Sequence, residues 1–140
     1  MQQLYFEDLK VGMSAEYAKT VTEADILLFA GVSGDNNPVH INEEYAATTR
    51  FKGRIAHGML SASFISTVLG TRLPGPGSIY LSQSLKFKAP VKIGDTVVAV
   101  VSITDLDAEK KRVSLTTTCR VKDIVVIEGE AVVMTASRPL

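Results

Sequence analysis

Residues 56–70 read AHGMLSASFISTVLG, and apart from His57 no side chain among them can carry charge. Apolar or small residues occupy every face at helical spacing, and a helix of that kind must be buried on most sides. Gly70 suits its C-terminal cap, and the LPGPG run from Leu73 to Gly77 supplies a rigid turn after it. From Ser78 the period changes to two. The segments SIYLSQSLKFK, DTVVAVVSIT, RVSLTTTCRVK and VVIEGEAVVMTAS are rich in Val, Ile, Thr and Tyr and read as four strands. The turns at Ile93-Gly94-Asp95 and from Asp107 to Lys111 are too short for crossover helices, so neighbouring strands are expected to be antiparallel. One long buried helix followed by an antiparallel sheet that wraps it is an α+β architecture.

Upstream of this block the pattern is mixed. A short strand is expected over Ser14–Thr20, followed by a helix from about Glu23 to Val32. In that helix Ala24, Leu27, Leu28 and Gly31 stand at i, i+3, i+4 and i+7, and Thr20 with Glu23 matches a capping box. Ser33-Gly34 supplies its stop. A second short helix should follow Asn42, which can cap it while Glu43 and Glu44 favour the positive end of its dipole.

Composition restricts the function classes. At 15.1 kDa, with 46% apolar residues, 140 residues suit a single domain spanning 1–140. Such a chain can reduce a surface of roughly 22,000 Å² unfolded to roughly 7,000 Å² folded. Fifteen basic residues balance fifteen acidic ones and form no basic stripe, which argues against a nucleic-acid partner. The single cysteine, Cys119, has no internal partner, and the first residues lack a signal-peptide pattern, so a cytoplasmic or otherwise reducing location is expected. Fifteen uncharged residues fall short of the about twenty needed to cross a bilayer, so no membrane association is expected.

Two short segments carry the chemistry. Ser33 to His40 reads SGDNNPVH, and Pro38 should make it an irregular loop in which Asp35 and His40 converge. A carboxylate beside an imidazole forms a general acid/base pair, although an Asp and a His at this spacing also occur in ordinary turns. The second segment is Ala56-His57-Gly58-Met59, the start of the buried helix. Free N–H groups there suit a developing oxyanion, and Gly58 permits close approach; tight packing of the helix against the sheet is the competing use of that glycine. His57 reads as a residue that orients the loop or packs at the helix start rather than as the base. Ser61 and Ser63 are expected to bond back to the preceding turn, while Ser66 is balanced between packing and a pocket role. No G-x-S-x-G elbow is present, Gly75-Pro76-Gly77 lacks an N–H that a phosphate loop needs, and two histidines with one cysteine complete no standard zinc set.

Taken together, Asp35-Asn36-Asn37-Pro38-Val39-His40 and the later Ala56-His57-Gly58-Met59 resemble the MaoC-like hot-dog family, specifically its (R)-specific enoyl-CoA hydratases. The likeness extends through the AATTRF segment, the LPGPGSIYLSQSLKFKAPVKIGD block and the GEAVV strand. It implies a hot-dog fold, a homodimer with active sites near its interface, and reversible syn hydration of a trans-2-enoyl-CoA to an (R)-3-hydroxyacyl-CoA. Carried over by position, it makes Asp35 and His40 the catalytic pair and Asn37 a polar positioning group. Gly58 N–H becomes the donor to the thioester carbonyl and Ser66 the helix serine beside the pocket. Asp35 would act as base toward water and His40 as acid, or the two with roles exchanged. CoA is part of the substrate, so neither a separate cofactor nor a metal is implied. Lys86, Lys88 and Arg54 could meet CoA phosphates but read first as solvated charge. Action on an acyl carrier protein, thioester hydrolysis and non-catalytic acyl-CoA binding are the competing readings.

Overall fold

The computed structural model describes residues 1–140, and everything in it is arranged around α4 (Gly58–Thr71). This helix buries Leu60, Ser61, Ala62, Phe64, Ile65, Val68 and Leu69. Gly70 does not cap it. The helix continues to Thr71 and is closed by Arg72, whose N–H donates to Val68 O at 2.9 Å. Tertiary contacts hold that last turn: the Arg72 guanidinium donates to the carbonyl of Glu16 and lies over the Tyr17 ring, 5.4 Å from its centroid. The burial is also not complete. Met59, Ser63, Ser66 and Gly70 are exposed, and their spacing places them on one stripe along the helix.

Around α4 wraps an antiparallel sheet of six strands: β1 (Ser14–Thr20), β2 (Ile79–Gln83), β3 (Lys86–Phe87), β4 (Thr96–Asp107), β5 (Arg112–Val121) and β6 (Ile124–Met134). Its order is β1-β4-β5-β6-β2, with β3 also on β6. Alternate residues of the long strands enter the core. Val97, Ala99, Val101 and Ile103 on β4 and Val113, Leu115 and Cys119 on β5 are all buried. Each buried Val, Leu or Ile contributes about 1.5–3 kcal/mol, so this interior sets the rigidity of the helix within it.

The expected pairing of sequence neighbours holds for the β4–β5 and β5–β6 hairpins and fails between β3 and β4. There the Ile93-Gly94-Asp95 turn meets the end of β1 instead: Gly94 N–H donates to Val21 O and Val21 N–H to Asp95 O, both at 2.8 Å. β1 then runs along β4 from Ser14↔Ser102 to Thr20↔Thr96. This pairing corrects the capping assignment, because Thr20 Oγ1 is engaged with Thr96 Oγ1 at 2.7 Å. Thr22 caps α1 (Glu23–Ser33), accepting from Asp25 N–H while the Asp25 carboxylate accepts from Thr22 N–H. The apolar stripe read in α1 is corrected as well. Ile26 is its buried residue and Phe29 packs on the core, whereas Leu27 and Leu28 face solvent. A helix apolar on most faces has no single periodicity to choose which side turns inward.

The segment read as one strand over 78–88 is broken at Ser84 and Leu85. Ser84 approaches β6 so closely that a Cβ built on Gly129 would lie 1.8 Å from the Ser84 carbonyl oxygen. Ser84 N–H donates to Glu130 O at 2.9 Å, and Ser84 Oγ accepts from Glu130 N–H at 3.0 Å. A side chain at 129 must therefore displace backbone. Gly129→Ala is expected to destabilise the protein by on the order of 3 kcal/mol, measured by urea unfolding, whereas Gly12→Ala, with open space around it but a left-handed backbone, should cost less.

Candidate active site

The site is assembled between the end of α1 and the start of α4. α1 stops at Gly34, which takes the left-handed conformation at φ 80°. Asp35, Asn36 and Asn37 follow, and then the chain departs from the expected irregular loop: Pro38–Ile41 forms a helical turn, α2. Proline belongs there because at the first helical position its missing N–H has no partner to lose. Asn37 caps the turn, its Oδ1 accepting from Val39 N–H at 3.1 Å. Asn42 caps α3 (Glu43–Ala47) as expected, accepting from Tyr45 N–H at 3.0 Å.

α2 carries His40 into the interior, where only 8% of it is exposed. Its Nδ1 lies 2.7 Å from Ile55 O, and because a carbonyl oxygen can only accept, Nδ1 carries the proton. In neutral His40 the lone pair is then on Nε2. His57, buried to 2% exposure, makes the equivalent bond from its Nε2–H to the main-chain carbonyl of Asp35 at 2.8 Å. The two rings stack with centroids 3.9 Å apart and planes inclined by 26°, and Phe29 closes the other side of His57 at 4.9 Å. A carboxylate oxygen of Asp35 and one ring nitrogen of each histidine lie within 4.8 Å of one another. The expected convergence of Asp35 and His40 is present.

Three potential ligands at this range, one carboxylate and two imidazoles, invite a metal, but the ring geometry does not suit one. Imidazole lone pairs lie in the ring plane, so rings stacked 3.9 Å apart hold them in two nearly parallel planes, and one ion at about 2.0–2.1 Å from both nitrogens cannot lie in both planes. The arrangement suits proton transfer. Burial, with the neighbouring His57 adding to it, holds the His40 pKa below its ordinary 6.5, while the Ile55 and Asp35 oxygens act in the opposite direction. His40 is consequently neutral at pH 7 and accepts a proton at Nε2.

Asp35, His40, His57 and Gly58 border a cavity of about 420 Å³ whose other walls include Phe87, Val91 and Ile127. Gly58 opens α4, so its N–H lies outside the helical ladder. Its missing Cβ serves packing: that atom would meet the Phe87 ring at 2.6 Å. Asn37 and Ser66 are not among the cavity walls of the single chain. Asn37 acts on the backbone of α2, and Ser66 lies two turns along the exposed stripe of α4. Arg54 is not free surface charge, since it donates to His40 O and to Glu23, both at 2.7 Å, tying α1 to α2. Lys88 borders the cavity and pairs with Glu128 at 3.4 Å, and Lys86 is exposed on β3. Arg50 at the cavity rim and Phe87 over Gly58 lie in the AATTRF and LPGPGSIYLSQSLKFKAPVKIGD segments, but nothing in their residue types singles them out there as site residues.

Comparison with known proteins decides the family: the profile described as "MaoC like domain" matches residues 7–125. This chain belongs to the MaoC-like domain family. It is 68% identical over 134 residues to an (R)-specific enoyl-CoA hydratase of Rhodospirillum rubrum, covering 96% of this chain and 93% of that protein. Among solved structures it resembles the unliganded R-hydratase of Pseudomonas aeruginosa with a TM-score of 0.92 and 45% identity, covering 99% of this chain and 89% of the other. The (R)-hydratase of Aeromonas caviae, described as involved in PHA biosynthesis, aligns with a TM-score of 0.90 and 45% identity over 92% and 98% of the two chains. The MaoC-like chain accordingly has the hot-dog fold that the resemblance implied.

The depressed pKa of His40 has a consequence for stability. Below pH 6.5 the unfolded chain takes up a proton that the folded MaoC-like domain resists, so stability falls with pH from there down through the folded-state value. Asp25, whose carboxyl is held below 3.8 first by Lys19, loses its stabilising contribution only at lower pH. Urea unfolding should therefore give a lower free energy at pH 5 than at pH 7, with a smaller difference in His40→Gln.

Proposed function

We propose that this chain is an (R)-specific enoyl-CoA hydratase that adds water reversibly and syn across a trans-2-enoyl-CoA. The observation that carries the reading is the juxtaposition, in one cavity, of the His40 Nε2 lone pair, the Asp35 carboxylate and the unladdered Gly58 N–H. Water held by Asp35 and His40 transfers a proton to Nε2 as its oxygen bonds to C3. The C2–C3 π electrons move onto the thioester oxygen, where Gly58 N–H and the positive end of α4 stabilise the enolate. The acid/base pair then returns the proton to C2 on the same face, so that one H and one OH have been added. The Ile55 contact favours His40 as the base, the exchanged form of the assignment drawn from the sequence. The (R) product is supported by the 68% identical relative of that name. The reaction needs no separate cofactor or metal.

The reading includes a homodimer as the working form. The solvent-facing Leu27 and Leu28 and the edge strand β2 with Ile79, Tyr80 and Leu81 exposed offer apolar surface for a second copy, and the small residues of the α4 stripe permit its close approach. Residues 33–38 of the reactive loop are exposed in the single chain, and its accessible surface of 7,920 Å² exceeds the about 7,000 Å² usual for a monomer of this mass. We place the enzyme in a reducing compartment, the cytoplasm. The reading is supported by the single cysteine, Cys119, which is buried and free.

Loss of the enoyl-thioester absorbance of crotonyl-CoA, with chiral analysis of the product, tests the activity. Asp35→Asn and His40→Ala should each fold and lose about 10²–10⁴-fold in kcat. Near wild-type turnover by either variant, or release of free CoA in place of hydration, overturns the reading. Light scattering should return twice the chain mass, and a stable, fully active monomer would remove the dimer from it.

A further inference from the structure

Two polar atoms in the wall of the cavity have no hydrogen-bond partner: His57 Nδ1 and Ser61 Oγ. Their residues are 2% and 1% exposed, so solvent does not solvate them freely. Ser61 was expected to return its hydroxyl to the preceding turn, as Ser63, Thr67 and Thr71 do on the same helix, donating to Leu60 O, Ser63 O and Thr67 O. It does not. His57 caps α4 and Ser61 stands four residues later, the spacing that brings side chains together on one helix face. Both residues belong to the wall of the cavity, and two enclosed, unpartnered polar atoms on that face call for a shared partner of the size of one water.

We propose that Ser61 is a positioning residue: through one ordered water it supplies a hydrogen bond to His57 Nδ1 and thereby keeps the proton of His57 on Nε2. That tautomer is the one that donates to the carbonyl of Asp35 at 2.8 Å. The other restraints on Asp35 are local to its exposed loop, its N–H donating to Ser33 Oγ and its carboxylate accepting from Asn37 N–H. His57 is therefore the link from the buried helix to the reactive carboxylate. A proton on Nδ1 would leave Nε2 facing the carbonyl with a lone pair and release the loop.

This inference rests on the hydratase reading for its kinetic consequence, but the tautomer is measured in the resting protein without substrate. Long-range ¹H–¹⁵N spectra of the full-length protein at pH 7 should show His57 protonated only at Nε2, and Ser61→Ala should show mixed tautomers. Ser61→Ala should lower kcat for crotonyl-CoA about tenfold, the effect of one lost hydrogen bond, with KM changed less than about twofold and an unaltered melting temperature. His57→Gln, which carries an amide N–H at the Nε2 position, should retain more kcat than His57→Asn, which carries it at the Nδ1 position. An Nδ1–H tautomer in the wild type, or a Ser61→Ala protein with wild-type tautomer and kcat, overturns the proposal. If Ser61→Ala does not fold, Ser61→Cys, which replaces the hydroxyl at nearly the same size, is read by the same spectra and assay, and a wild-type tautomer and kcat in it overturn the proposal. Failure of the wild type to hydrate crotonyl-CoA would count against the function and leave the tautomer result standing.

Discussion

The hydrogen bond from His57 Nε2–H to the carbonyl of Asp35 joins the rigid part of this molecule to its reactive part. On one side of it stands α4, enclosed by β1, β4 and β5 and packed through Phe64, Ile65, Val68 and Leu69. On the other stands a loop whose residues 33–38 are all exposed. An isolated loop of that kind would sample many conformations, and each ordered residue costs about 1–2 kcal/mol of backbone entropy. Its placement therefore comes from the elements at its two ends and from the bond that crosses between them.

The same contacts also set the chemistry. Burial and the neighbouring His57 disfavour a second proton on His40, and each ring gives an N–H to a main-chain oxygen. What remains on His40 is an acceptor, poised beside a carboxylate and near the N-terminus of a buried helix. In the proposed reaction, proton acceptance and oxyanion stabilisation come from different elements, α2 and α4, held in register by Arg54 and by the His57 bond. Because the dipole of α4 is oriented by the sheet, the role proposed for it involves no reorganisation when charge develops.

Much of this was legible in residue patterns because the physics behind them is local. The switch to period two at Ser78, the Asn42 cap and the stop at Gly34 each depend on a few consecutive residues. Local pattern and tertiary structure diverge where a distant segment intervenes. Thr20 looked like a cap until β1 paired with β4; Ser84 looked like a strand interior until it met Gly129; and the face of α1 turned inward was chosen by Phe29 packing beside His57. Pro38 was read as a helix breaker, whereas its position as first residue of α2 makes it a starter.

The amino-acid sequence determined the α+β class, the buried central helix, and the presence of Asp35, His40 and Gly58 in motifs specific enough to indicate the family. Each follows from periodicity or from the residue types themselves. The tertiary structure decided the strand order, the tautomers of the two histidines and the isolation of Ser61 from its own helix. Those properties depend on which carbonyl lies opposite which ring nitrogen, and no spacing along the chain encodes that until the sheet has closed around α4.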